Sequence, residues 1–214
     1  MSEPVKTRAY DSTRRRAQAA DTRRDIMRAA QRLFERDGYA ATTIPAVARE
    51  AGVAQKTVYS GFGSKGGLLH GVWDLALGGD DSQTPVGERR WYQEVLEEPD
   101  PRRQLVLNAR NSRSGKERIG RVLEVIREAT GIDPAVADLW RTIQIEFHAN
   151  QRVIVESLHR KGALKRGLGV SRGADILWTL NHPNTWQLLV GERGWTPAQY
   201  EKWFAEASIG QLLG

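Results

Sequence analysis

The sequence contains no cysteine, and this absence excludes disulfide bonds, thiolate metal ligands and cysteine nucleophiles. No segment approaches the ~20 consecutive apolar residues that a membrane-spanning helix needs. Residues 1–16 lack the apolar core of a secretory signal. We therefore expect a cytoplasmic protein with no membrane partner.

Alternation of apolar and polar residues, the pattern of a half-buried strand, is also missing. Apolar residues instead recur at steps of three or four, as on one face of a helix, in segments bounded by glycine or proline. This periodicity predicts an all-α fold of about nine helices.

Positive charge is concentrated in the N-terminal third of the chain. Residues 1–70 hold 13 Lys or Arg and 7 Asp or Glu, whereas residues 71–214 hold 19 of each kind, so the whole net charge of +6 arises before residue 71. All seven tryptophans follow residue 70. A basic, tryptophan-free segment suits contact with a polyanion, and the neutral remainder suits burial of apolar surface.

Three regions are predicted from these patterns. Residues 1–20 are polar and basic without apolar periodicity, which indicates a flexible arm. Residues 21–69 form a three-helix DNA-binding domain, whose first helix follows a cap at Asp21 and stops at Gly38. Residues 70–214 form a second helical domain.

Two helix boundaries in the second domain are predicted from single residues. Gly115 is expected to separate a helix over 101–114 from the next one. Further along, one long helix is expected to run from a cap at Ser171 to Leu188, with a kink at Pro183.

A helix-turn-helix is predicted within residues 43–60. Thr43 is suited to capping one helix, Gly52 ends it, and residues 54–60 form a second, short helix after a tight turn. This second helix can lie in a major groove about 12 Å wide, with its N-terminal residues facing base edges.

The side chains around this helix match the chemistry of DNA contacts. Gln55 can bond adenine, and Lys56 can bond guanine or a phosphate. Hydroxyl and ammonium groups nearby are suited to phosphate oxygens and would set the register. The predicted DNA-binding residues are Thr43, Gln55, Lys56, Thr57, Tyr59, Ser60 and Lys65.

Four segments in order carry a family resemblance: 38–44 (GYAATTI), 47–53 (VAREAGV), 57–62 (TVYSGF) and 64–69 (SKGGLL). Over about residues 22–69, their order and spacing resemble the DNA-binding domain of TetR-family transcriptional regulators. The resemblance implies a homodimer, a double-stranded operator of inverted half-sites, and a repressor that a small-molecule effector releases from DNA.

The chain departs from the family pattern at a few positions. Ala54 stands where a capping residue is common, and Gly61 stands where histidine or an aromatic residue is common. Gly66 and Gly67 replace better helix formers, which predicts a soft start to the fourth helix.

The resemblance also implies that residues 70–214 form a ligand-binding and dimerisation domain, and it suggests roles for aromatic residues there. Segments that enclose the family's ligand pocket carry Trp73, Trp91, Tyr92, Trp140, Phe147 and His148, which are the predicted ligand-binding residues. The two last helices form the family's dimer interface, and there the predicted contacts are Trp178, Trp186, Trp203 and Phe204. Apolar, tryptophan-rich walls suggest a largely apolar ligand.

No catalytic or metal constellation emerges, and neither enzyme activity nor a metal or other cofactor is expected. The four histidines have no metal-ligand spacing. Residues 61–66 match G-x-G-x-x-G, but no strand precedes them, so a loop is the better interpretation. Two alternatives remain: an architectural DNA-binding protein without sequence preference, and a helical small-molecule binder or enzyme without DNA function. The three arginines 14–16 are either solvated or contact the minor groove.

Overall fold

A computed structural model describes residues 8–78 and 85–214, with side chains from Arg14 onward. Within these residues the chain has nine helices of seven or more residues, one single-turn helix and no strand. The predicted all-α fold is confirmed. No helix in this part of the chain is long and apolar enough to cross a membrane.

The helices are α1 (Arg8–Ala41), α2 (Ile44–Glu50), α3 (Gln55–Phe62), α4 (Lys65–Gly78), α5 (Arg90–Glu97), α6 (Pro101–Ala129), α7 (Pro134–Arg160), α8 (Val170–Leu180), α9 (Pro183–Trp186) and α10 (Pro197–Leu212). A 3₁₀ turn (Val86–Glu88) precedes α5, and a π-helical turn (Gln187–Glu192) follows α9.

The first helix starts earlier than its apolar pattern indicates. It begins at Arg8, so residues 8–20 are helical rather than a flexible arm, and Asp21 lies inside the helix instead of capping it. Residues 14–20 are all exposed, and a helical segment with no buried face shows no apolar period. Residues 1–7 of the predicted arm lie outside the described residues.

Two further boundaries differ from those predicted. Gly115 does not interrupt α6, which continues to Ala129. The glycine costs about 1 kcal/mol in a helix, and the packing of buried residues on both sides outweighs it. Conversely, the single helix expected up to Leu188 is divided in two. The helix α8 ends at Leu180, and a new helix begins at Pro183.

The hydrophobic interior has two parts. The first joins α1–α4 to the adjacent ends of α6 and α7, for example through Phe34, Leu69 and Ile126, each at most 1% exposed. The second is formed by α5, α8, α10 and the other ends of α6 and α7, around Tyr200 and Phe204. The long helices α6 and α7 therefore connect the helix-turn-helix region to the remainder of the protein.

Candidate functional site

The region around α2 and α3 has the geometry of a helix-turn-helix. Thr43 caps α2, its side chain accepting a hydrogen bond from the Ala46 amide at 3.3 Å. Gly52 takes a left-handed conformation, with φ of 67°, and so permits the tight turn. As the sequence indicates, Ala54 at the start of α3 provides no side-chain cap.

One side of α3 is buried and the remainder is open. Val58 anchors the helix in the core, with 1% of its surface exposed. Six of the seven predicted DNA-binding side chains are exposed: Thr43, Gln55, Lys56, Thr57, Tyr59 and Ser60. Tyr59 is 51% exposed, which is unusual for a large apolar ring and leaves its hydroxyl accessible.

Contacts from α1 hold the C-terminal end of α3 in place. The Arg23 guanidinium donates to the Gly61 carbonyl at 2.5 Å and lies 4.1 Å from the centre of the Phe62 ring. Phe62 packs against the first core. Sequence reasoning missed this role of Arg23, because the residues it joins are 38 positions apart.

Lys65 is the one predicted DNA-binding residue whose side chain is only partly exposed. Its ammonium group lies 3.4 Å from the Ala40 carbonyl oxygen and 4.2 Å from the centre of the Tyr39 ring. Partial burial lowers the pKa of Lys65, and the charge of Asp133 opposes this shift. Lys65 therefore also joins α4 to the end of α1.

The two glycines at the start of α4 permit close packing, and the soft helix start stays a prediction. A Cβ atom on Gly67 would overlap the carbonyl oxygen of Phe62. One on Gly66 would lie 3.1 Å from a carboxylate oxygen of Asp133. Ser64 caps the helix by accepting the Gly67 amide at 3.0 Å.

A polar contact joins the helix-turn-helix region to α7. The Tyr39 hydroxyl donates to the Asp133 carboxylate at 2.5 Å. Asp133 also caps α7, since its side chain accepts the Ala135 amide at 2.9 Å. Burial and this acceptor raise the pKa of Tyr39.

A cavity lies where the two cores meet, between α4, α5, α6 and α7. Its volume is about 140 Å³, and it adjoins a second space of about 450 Å³ that shares Trp73, Leu77 and Ile143 with it. Four of the six predicted ligand-binding residues line the cavity: Trp73, Trp91, Tyr92 and Phe147.

The other two predicted ligand-binding residues lie elsewhere. Trp140 packs against the first core and borders a separate cleft next to α9. His148 faces α8, where its Nε2 lies 2.9 Å from the Asp175 carboxylate. Both expectations are therefore wrong for this cavity, because α7 turns these two positions away from it. Among the described residues, no group of three or more His, Asp or Glu side chains has the arrangement of a metal site.

Polar residues that sequence reasoning missed form one end of the cavity. Lys116 is 6% exposed, and its ammonium group donates to Ser112 Oγ at 2.8 Å and to the Asn181 side-chain oxygen. The sequence spacing could have indicated that Lys116 is buried. It lies seven residues, or about two helical turns, from both Ala109 and Leu123, which are on the buried face of α6.

The predicted dimer contacts differ in exposure. Phe204 is 0% exposed within its own chain, so the prediction that it contacts a second chain is wrong. Trp178, Trp186 and Trp203 are partly exposed. Trp186 and Trp203 pack on the second core by one edge, with the Trp186 ring 4.9 Å from that of Tyr200.

Comparisons with known proteins agree with this geometry. Residues 26–72 match the family described as bacterial regulatory proteins, tetR family. The chain is 28% identical over 112 residues to the HTH-type transcriptional regulator AcrR of Shigella flexneri, across 51% of this chain and 49% of AcrR. That alignment spans about half the length of AcrR.

Two more extensive similarities cover most of the chain. It is 27% identical over 172 residues to the probable HTH-type transcriptional regulator ArpR of Pseudomonas putida, across 75% of this chain and 77% of ArpR. NalD of Pseudomonas aeruginosa, the secondary repressor of the MexAB-OprM multidrug efflux pump, has the same fold, with a TM-score of 0.68, 21% identity, and coverage of 91% of this chain and 98% of NalD. Residues 26–72 therefore match the TetR family of bacterial regulatory proteins, and most of the chain shares the fold of NalD.

Proposed function

We propose that this protein is a homodimeric repressor that binds an operator of two inverted half-sites and leaves it when a small, largely apolar ligand enters the cavity. The observation that carries the proposal is the exposed polar face of α3 beside Thr43. The names of AcrR and ArpR, both HTH-type transcriptional regulators, support it.

The side chains divide into two roles on DNA. Gln55 and Lys56 lie at the N-terminal end of α3 and read bases in the major groove. The hydroxyls of Thr43, Thr57 and Tyr59 flank them and hold phosphates, which position the protein without specifying sequence. Lys65 contributes a phosphate contact from the first turn of α4, although part of its donor capacity is used within the chain.

The cavity is connected to the DNA-binding surface by α4. Trp73 and Leu77 of this helix line the cavity, and its first residues pack against Phe62 at the end of α3. A ligand that displaces α4 therefore displaces α3. Because the two half-sites lie about 34 Å apart on the duplex, a small change in the spacing of the two recognition helices prevents both from docking.

Dimerisation uses the faces of α8–α10 that each chain leaves partly open. Trp178, Trp186 and Trp203 lie there with part of their surface accessible, and large aromatic residues are enriched at interface centres.

The proposal is tested by selecting tight-binding duplexes from a random pool and comparing variants on them. In the double variant Gln55→Ala/Lys56→Ala we expect loss of preference for the selected duplex by at least about 10-fold, with weak binding to random DNA retained. Arg102→Ala at the start of α6, an exposed basic residue outside the helix-turn-helix and the proposed dimer faces, is the control. Unchanged preference in the double variant would contradict the assigned base contacts.

A further inference from the structure

Lys116 carries a buried amino group at the polar end of the cavity. It lies in the middle of α6 and is 6% exposed. An ammonium group has three donors, and two are used here, by Ser112 and by the Asn181 side chain. The Lys116 Nζ also lies 5.3 Å from the centre of the Tyr200 ring and 6.0 Å from that of Phe147, and these cation–π contacts supply no negative charge.

The charge of Lys116 has no counter-ion among the described residues. No described carboxylate forms an ion pair with its Nζ, although Glu146 lines the same cavity. Burial, and then the charge of Lys116, lower the pKa of His182. Burial lowers the pKa of Lys116 to about 7. A buried cation without an anion is costly, and few structural lysines are left in this state.

Asn108 supplies an unpartnered donor to the same cavity. It lies on α6 one turn before Ser112, lines the cavity and is 7% exposed. Its side-chain nitrogen is buried without a hydrogen-bond partner among the described residues. Buried donors are normally satisfied, so this amide, together with the third donor of Lys116, indicates a place for acceptor atoms.

We propose that the ligand of this cavity is an apolar molecule with one carboxylate, and that Lys116 is the counter-ion of that carboxylate. The apolar body lies against Trp73, Trp91 and Phe147, and a ligand oxygen accepts from Asn108. This inference depends on the proposed function only in taking this cavity as the effector site.

The test compares carboxylates with neutral molecules of the same shape. Octanoate, benzoate and 1-naphthoate are each paired with their primary amides, and binding is measured by calorimetry and by the shift in melting temperature. For at least one pair we expect the wild-type protein to prefer the carboxylate by about 10- to 100-fold, the value of a charge-assisted hydrogen bond.

The variants separate a ligand contact from a structural role. Lys116→Met fills the same volume without charge and is expected to fold, because apolar replacement of a buried charge is often neutral or stabilising. It should lose the preference for the carboxylate and keep binding of the amide. Lys202→Met is the control and should keep the preference. Asn108→Leu should weaken carboxylate binding without abolishing it.

Proton uptake gives a second readout. At about pH 8 much of Lys116 is neutral in the free protein, and a bound carboxylate raises its pKa, so wild-type binding takes up protons and Lys116→Met binding does not. Equal affinity for carboxylates and amides, no binding of any carboxylate, or an unchanged preference in Lys116→Met would overturn the inference.

The same samples are assayed for binding to the selected duplex without ligand. Specific DNA binding together with no carboxylate preference rejects the ligand class and leaves the proposed regulator standing. A carboxylate preference that depends on Lys116, without any sequence-specific DNA binding, supports the ligand class and rejects the regulator.

Discussion

At the scale of single residues, burial gives a few side chains properties that their sequence neighbours do not share. Lys116 and Lys202 are both lysines on helices, but the first is 6% exposed and the side chain of the second is 78% exposed. Desolvation disfavours the charged form of Lys116, which is buried, but not that of Lys202, which is exposed. This difference has a measurable consequence for stability.

We expect Lys116 to make the free energy of unfolding rise with pH. The pKa of Lys116 is lowered from 10.5 in the unfolded chain to about 7 in the folded protein by burial. Between these values the unfolded chain binds more protons, so stability increases with pH through this window and is insensitive to Lys116 below it.

Urea unfolding from about pH 6 to 10 measures this dependence. The difference in unfolding free energy between wild type and Lys116→Met should shift in favour of wild type as the pH rises, while the difference for Lys202→Met stays flat. A flat difference for Lys116→Met would mean that the lysine is not desolvated.

At the scale of helices and turns, the space around a glycine decides the effect of replacing it, and helix propensity alone does not predict that effect. Gly67 is a poor helix former in the first turn of α4, yet a methyl group there would collide with the Phe62 backbone. Gly210 in α10 has open space around it. The two glycines therefore respond in opposite ways to the same substitution.

Gly67→Ala is expected to lower the free energy of unfolding by about 1–3 kcal/mol, since the backbone at the α3–α4 junction must move. Gly210→Ala should raise it by up to about 1 kcal/mol through helix propensity. Thermal or urea unfolding of both variants measures these changes in the free energy of unfolding. If Gly67→Ala were as stable as Gly210→Ala, the close approach would not exist in solution.

Local signals predict local structure well in this chain. Thr43 caps α2 as its sequence context predicts, and Gly38 breaks α1 with a positive φ of 78°. These features depend on a few neighbouring residues. The exposed α3 face also follows from spacing alone, so most of the proposed DNA-binding surface is predictable.

Features that depend on long-range packing are not predictable in this way. Gly115 lies within a continuous helix because tertiary contacts outweigh its low propensity. Trp140 and His148 lie on α7 with Phe147, but only the three-dimensional arrangement determines which of them faces the cavity. Lys116, which gives the cavity its charge, meets Asn181 across 65 positions of sequence.

At the scale of the whole molecule, the helix-turn-helix and the cavity share one framework. The helices α6 and α7 contribute to both cores, and the cavity lies between them beside α4. The excess of basic residues lies before residue 71, in the part that carries α3, and the remainder is neutral. The excess of basic residues and the cavity thus lie in different parts of the chain, and α4 contacts both parts.

The most direct test of the account is fluorescence anisotropy of the purified protein on labelled DNA from upstream of its own gene, titrated with salt and with unlabelled random competitor. We expect tight binding that resists random DNA by about 10³-fold or more and weakens steeply with salt. Equal competition by random DNA, confirmed on duplexes selected from a random pool, would contradict sequence-specific regulation.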